Sequence, residues 1–374
     1  MAHSLPETMK ALVCEEVGQP LKLQTLPTPQ PTIGSVVVHV LCISSQRSLP
    51  AALTGKTFFT FPTPLTPGNA AIGRVAAIGQ DTTSLAVGQL VMLEAFIRAR
   101  DNPDIQILWG FYDGQTPESK KFMADNWSRG TYAEYVRAPL ENTWALDEKR
   151  LCGSPSDGGL GYTVEDLAAL SEILIPYAGL RNIGVQAGEK VIIAPATGGF
   201  SGAAVTVAHA MGARVIAMSR DVETLKKMKR QYPAIEIVPN TGDAQADAAA
   251  LKVLGPIDAY LDISPPQAAA STHIRSCFMA VRQYGRVSLM GMIAADLTMP
   301  YILSVGGNLT IRGQFMYERE DVKGLVKLAE SGLLKLGEAG GYEVRGRFKL
   351  EEIEDCFRVT SASSRAGQIV LIKP

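Results

Sequence analysis

Residues Val191 to Arg220 constrain this chain more than any other stretch. The apolar run Val191-Ile192-Ile193-Ala194 reads as a buried strand. Pro195 to Gly202 is a glycine-rich turn, Ala203 to Met211 a helix of small residues, and Gly212-Ala213-Arg214 leads into a second apolar run, Val215 to Met218. Strand, turn, helix, strand is the first half of a Rossmann, doubly wound parallel fold. Glycines in such a turn let backbone N–H groups approach a pyrophosphate, and the helix N-terminus behind them favours the anion. Gly199, Ser201 and Gly202 depart from the usual G-x-G-x-x-G spacing, so the flanking strand and helix carry the reading. The competing reading is a βα turn that holds no ligand. Thr197, Gly198, Gly199, Phe200 and Ser201 are the cofactor-binding candidates of this turn.

The second strand ends in Ser219-Arg220. An NAD site places an acid here for the ribose 2′-hydroxyl, whereas a hydroxyl and a guanidinium suit a 2′-phosphate. The expected cofactor is NADP(H). The alternative is a surface arginine beside Asp221.

A chain of 374 residues is long enough for two domains. Its formal net charge of −1 argues against an electrostatic nucleic-acid footprint. No apolar run reaches the roughly 20 residues that cross a bilayer, so no membrane partner is expected. Met1 to Lys10 lacks an apolar signal core, which points to a soluble cytoplasmic protein. Five scattered cysteines without a C-x-x-C pair fit a reducing compartment, with neither a disulfide framework nor a zinc ribbon.

Short strands divided by Gly/Pro turns run from Lys10 to about Asp147: Lys10–Val13, Lys22–Thr25, Ser35–Leu41, Gly73–Ile78, Gln89–Phe96 and Tyr132–Arg137. This spacing predicts a β-barrel-like domain. Ile97 to Gly130 interrupts it with Trp109, Phe111, Tyr112, Phe122 and Trp127, an insert that either lines a pocket or packs on its own domain. Val164 to Gly184 is helical, with Thr163 as N-cap. Helices at Val222–Tyr232, Ala244–Leu254 and Gln267–Met279 then alternate with strands at Ile235–Pro239, Ile257–Ile263 and Arg286–Met290, which predicts a parallel sheet. The tail adds strands at Leu309–Phe315, Tyr342–Phe348 and Gly367–Lys373 and helices at Arg319–Ser331 and Leu350–Thr360.

Several segments, in order, carry a family resemblance: Met9-Lys10-Ala11-Leu12, Thr66 to Val75, Val87-Gly88-Gln89-Leu90-Val91, Gly130 to Val136, Ala196 to Ala213, Gly285-Arg286-Val287 and Gly367-Gln368-Ile369-Val370. With them the chain resembles the medium-chain dehydrogenase/reductase superfamily, and within it zinc-independent alcohol-dehydrogenase-like proteins of fungal secondary metabolism. The resemblance implies an α/β fold. A GroES-like β-barrel catalytic domain would take residues 1–160 and 300–374, and a Rossmann domain residues 161–299.

The family's catalytic zinc ligands map near Ser44, on Asn69 in Gly68-Asn69-Ala70, and near Ser171, with Cys42 a rival for the first; the motif's nearby acid falls on Arg47. Serines and an asparagine are poor zinc ligands. The family's structural zinc lobe falls between about Glu94 and Asp113, where there is no cysteine. None of the four histidines, His3, His39, His209 and His273, stands beside a cysteine or acid at ligand spacing. No metal of either kind is expected.

Ser44, Arg47, Asn69 and Ser171 remain as polar catalytic candidates, with Gln46 and Glu172 beside them. Lys56 to Phe61 holds phenylalanines where some zinc-free relatives use a tyrosine. By the same resemblance Ser264, Gly291, Met292 and Phe315 join Ser219 and Arg220 around the cofactor, and Leu309–Phe315 is a possible homodimer strand.

The expected function is zinc-independent, NADP(H)-dependent reduction of a C=C or C=O bond in a small secondary metabolite. Two alternatives stay open: a non-redox isomerase or cyclase on the same fold, and a nucleotide-binding protein without turnover.

Overall fold

The computed structural model describes residues 5–374, so His3 lies outside the described residues. Two compact units divide the chain. One runs to Ser171 and takes up Val344–Ser363 and Ile369–Pro374; the other holds Glu172–Glu343 and Ser364–Gln368.

The first unit begins with an antiparallel hairpin, β1 (Thr8–Val13) and β2 (Lys22–Pro27). Its further strands are β3 (Ser35–Ser44), β4 (Ala71–Ile78), β5 (Leu90–Leu93), β6 (Phe96–Arg98), β7 (Gln106–Leu108), β8 (Tyr135–Pro139) and β9 (Thr143–Ala145). The run Val36-Val37-Val38 is buried on both faces, and β3 accordingly sits inside the sheet, with β4 and β8 antiparallel to it. The expected single strand over Gln89–Phe96 breaks in two. The buried carboxylate of Glu94 interrupts it by accepting from Phe96 N–H at 2.8 Å and from the Asn142 amide.

The aromatic insert is ordered. β6 and β7 form a hairpin, and Thr116 and Ser119 cap the helix Pro117–Asn126 reciprocally. Trp109 is fully buried, its indole N–H donating to the Arg129 carbonyl at 3.0 Å.

The second unit contains β10 (Lys190–Ala194), β11 (Arg214–Ser219), β12 (Glu236–Pro239), β13 (Ile257–Asp262), β14 (Val281–Leu289) and β15 (Thr310–Gly313). They form one parallel sheet in the order β12-β11-β10-β13-β14-β15, the doubly wound order whose direction reverses between β10 and β13. Ile192, Ile216, Met218, Val238, Tyr260, Phe278 and Val287 belong to the core on this sheet. The chain then returns to the first unit with β16 (Glu343–Phe348) and β17 (Gln368–Ile372), which joins β3.

Residues 300–343 were expected with the first domain, yet they stay with the second unit. β15 extends its sheet, and the helix Arg319–Ser331 packs Gly324 against Tyr177 and sets Asp321 3.5 Å from Arg181. Two expected helices also differ. Val164–Gly184 divides into Val164–Leu167 and Leu170–Asn182, and Gln267–Met279 begins only at His273, because Pro265 and Pro266 precede it in a short 3-10 turn.

Candidate active site and dinucleotide site

In the first unit, β3 delivers Cys42 and Ser44 to one end of the sheet, where Ser44 pairs with Leu371 of β17. Cys42, Ser44, Ala70, Ala71, Ile72, Met92, Ala168 and Ser171 line a single narrow cleft with no room for a water molecule. The structure thus gathers two of the sequence candidates, Ser44 and Ser171, around Cys42.

Asn69 is half-buried next to the cleft, on a turn that glycines lock in place. Gly68 has φ +98°, and a Cβ on Gly110 or Gly130 would stand 2.4 or 2.1 Å from the Gly68 carbonyl oxygen. Thr131 Oγ1 donates to the Ala70 carbonyl at 3.2 Å and pins the next residue. Arg47 is not gathered with them, since its Nε donates to the Ser363 carbonyl at 2.9 Å and braces the returning chain.

This donor set does not fit zinc. The cleft offers one thiol and two hydroxyls, without imidazole or carboxylate. Burial, with the Glu165 charge adding to it, pushes the Cys42 thiol up to about 12, so the thiol is protonated. Among the described residues no three His, Cys, Asp or Glu groups are placed to hold a metal.

The first unit also holds an aromatic cluster. Phe59 lies 4.4 Å from Phe111 and 5.4 Å from Tyr112, centroid to centroid, and Phe58 stacks on Phe59 while 55% exposed.

In the second unit, the helix Gly199–Ala210 starts at the glycine turn, four residues before the expected Ala203. Ser201 Oγ accepts from Gly198 N–H at 2.9 Å and closes the first turn. A Cβ on Gly202 would stand 2.3 Å from that of Ala366, so this glycine admits the segment Ser364–Gln368. Ala366 N–H donates to the Thr197 carbonyl at 2.9 Å. A Cβ on Gly198 would meet only Ser201 Oγ, at 3.2 Å, and Gly198 also bridges Arg365 of the returning segment.

At the end of β11, Ser219 Oγ bonds Thr197 Oγ1 at 2.6 Å, while Arg220 is exposed. Asp221 caps the next helix by accepting from Thr224 N–H at 3.0 Å. These bonds from Thr224 come first, with the Arg365 charge adding, and hold the Asp221 carboxyl below the usual carboxylate range. Arg365 Nε lies 3.5 Å from Asp221 Oδ2, a position the sequence reading missed because Arg365 comes from the returning segment.

Met292 N–H donates to the Ser264 carbonyl at 2.8 Å, and Gly291 packs against Asp262 and Ser264. Phe200 and Phe315 are partly exposed. The fold brings His273 next to an acid, its Nε2 3.5 Å from Asp262 Oδ1. The two side chains sit on consecutive elements, where spacing along the sequence carries no signal. His39 stacks on Tyr135 and His209 packs near Tyr232.

The first unit is built on antiparallel strands and the second on a doubly wound parallel sheet. Residues 32–148 match the alcohol dehydrogenase GroES-like domain, and residues 199–331 match the zinc-binding dehydrogenase domain. The chain belongs to the medium-chain dehydrogenase/reductase superfamily, as an oxidoreductase of the alcohol dehydrogenase type.

An alcohol dehydrogenase of Geobacillus stearothermophilus is 25% identical over 365 residues, covering 97% of this chain and 99% of its own. An acryloyl-coenzyme A reductase of Sulfurisphaera tokodaii is 24% identical over 386 residues, covering 98% and 100%. A Sinorhizobium meliloti protein, named as a zinc-binding dehydrogenase bound to NADP, superposes with a TM-score of 0.75. It shares 18% identity over 99% of this chain and 100% of that one.

Proposed function

We propose that the protein is a zinc-independent, NADP(H)-dependent oxidoreductase. It reduces a C=C or C=O bond of a small, apolar substrate of secondary metabolism. The second unit is the dinucleotide-binding domain, and the first is the catalytic domain.

One observation carries the reading: the end of β11 presents Arg220, with Arg365 beside Asp221 and the Asp221 carboxylate engaged as a helix cap. Two guanidiniums suit a 2′-phosphate, and a carboxylate turned to its own helix leaves the ribose end without a dedicated acceptor. The NADP-bound neighbour supports this choice, and the reductase of an acyl-coenzyme A supports reduction as the direction.

Bound NADPH supplies the hydride. The protein's own groups orient the substrate and hold a proton. Ser44, Asn69 and Ser171 are the polar groups proposed for that work, with Arg47 bracing the segment that carries Ser44. Phe58, Phe59, Phe111 and Tyr112 favour a flat apolar substrate, and an activated double bond needs no Lewis acid to accept hydride.

A cytoplasmic location accompanies this reading. Among the described residues no helix is long and apolar enough to cross a membrane.

The test is titration of the purified protein with NADPH and NADH, followed by a panel of enones and ketones. NADPH binding tighter than NADH binding, with turnover on an enone or ketone, supports the proposal. Equal affinity removes the NADP assignment. A product of unchanged mass points to an isomerase or cyclase, and binding without turnover to a nucleotide-binding protein.

A further inference from the structure

β13 ends at Asp262, whose side chain is almost fully buried. A buried carboxylate is retained only when hydrogen bonds satisfy it. Asp262 Oδ1 accepts from Ser264 Oγ at 2.5 Å and from the Tyr260 hydroxyl at 3.3 Å. Ser264 Oγ lies 2.8 Å from His273 Nε2, and His273 Nδ1 lies 2.7 Å from Ser271 Oγ. Asn240, just past β12, donates its amide to Ser271 Oγ at 3.4 Å.

With a neutral imidazole the donors run one way. Ser271 donates to Nδ1, Nε2–H to Ser264, and Ser264 to the carboxylate, an order inferred from the network itself.

The network acts on backbone at a functional edge. A Cβ on Gly291 would fall 2.6 Å from Asp262 Oδ2 and 3.0 Å from both Ser264 N and O. Met290 N–H donates to the Asp262 carbonyl at 2.9 Å and Met292 N–H to that of Ser264 at 2.8 Å. Asp262 and Ser264 therefore fix the carboxyl ends of β13 and β14 against each other. Open parallel sheets bind their ligands at this edge.

We propose that His273 is a positioning residue for the dinucleotide: through Ser264 and Asp262 it holds the ends of β13 and β14 in the shape that receives the cofactor. The inference rests on the dinucleotide-binding reading above. The ionisable groups around the helix of His273, His273–Ala280, are Asp262 and Tyr260 on β13, Asp247 on the helix Ala244–Lys252, and Cys277 and exposed Arg275 on the same helix as His273. Asp247 is taken up by Thr241, whose hydroxyl donates to it at 2.7 Å.

Dinucleotide affinity is measured for the wild type, His273→Gln and His273→Leu at neutral pH, with folding checked by circular dichroism. Glutamine keeps a donor towards Ser264. His273→Gln is expected to bind both dinucleotides within about twofold of the wild type. His273→Leu is expected to weaken NADPH and NADH alike, by about tenfold. A folded His273→Leu with wild-type affinity overturns the inference. So does a folded His273→Gln that binds as weakly as His273→Leu; if the leucine variant does not fold, Ser264→Ala, which breaks the same link to Asp262, takes its place, and wild-type affinity there overturns the inference. A wild type that binds neither dinucleotide defeats the functional reading instead, so the two failures are distinguishable.

Discussion

Arg220 and Arg365 bear on the cofactor through charge, and their substitution separates the two dinucleotides. Arg220→Ala is expected to weaken NADPH by about ten- to a hundredfold while leaving NADH within about twofold, the scale of a lost charge-assisted hydrogen bond. Arg365→Ala is expected to act in the same direction but less, since Arg365 is 67% exposed and shared with Asp221. Calorimetric titration of both variants checks this; a parallel loss of NADPH and NADH contradicts it.

Glu165 gives a residue-scale pH test. Burial pushes its carboxyl up, but Arg347 Nε at 2.8 Å and Lys373 Nζ at 3.1 Å outweigh burial and hold it below the usual carboxylate range. A lowered folded-state value means stability that is present above the unfolded carboxyl value of about 4.3 and lost as pH falls through the folded one. Glu165→Gln is expected to cost about 1 kcal/mol at neutral pH, both partners being half exposed, and less near pH 3. Urea denaturation at the two pH values measures the difference; an equal cost at both rules out the electrostatic origin.

Some of these residues were legible in the sequence and some were not. That Ser219-Arg220 closes a strand could be read because a strand end is a local feature. Arg365 and the pair Asp262–His273 could not, because their partners come from other elements and only the fold brings them together.

At the scale of elements, glycines mark where the sequence is most constrained. Gly202 lets the helix Gly199–Ala210 meet Ala366, and a Cβ there has nowhere to go. Gly202→Val is expected to destabilise the protein by about 1–3 kcal/mol and to weaken dinucleotide binding, because the displaced segment also carries Arg365. Thermal melting with and without NADPH tests both parts, and an unchanged melting temperature contradicts the packing argument. The glycine turn was visible from the sequence, but not the use of Gly202, which serves a segment far along the chain rather than a phosphate. Strands with one simple period were placed to within a few residues. The break between β5 and β6 was not, because a buried glutamate and its distant asparagine partner set it.

For the whole molecule, the proposed homodimer rests on β15. This strand ends the order of the parallel sheet and presents mostly exposed residues. Before it, Tyr301, Ile302 and Val305 on the helix Tyr301–Gly306 are exposed by 79%, 75% and 55%, far more apolar surface than a solvated helix normally shows. Strand pairing between two copies across β15 would cover this edge. Sedimentation is expected to give a dimer and Ile302→Glu to shift it towards monomer; a monomeric wild type at micromolar concentration contradicts the assignment. The two-unit organisation was legible from alternating strands and helices, but the place where the chain returns was not, since β15 looks like any other exposed strand in the sequence.

The central claim is chemical: hydride reduction on this fold without zinc. The most direct measurement is the rate of NADPH-dependent reduction of an enone or ketone by protein dialysed against a strong chelator, with its metal content determined alongside. The account predicts an unchanged rate in metal-free protein and no gain on adding zinc. A rate abolished by the chelator and restored by stoichiometric zinc would contradict it.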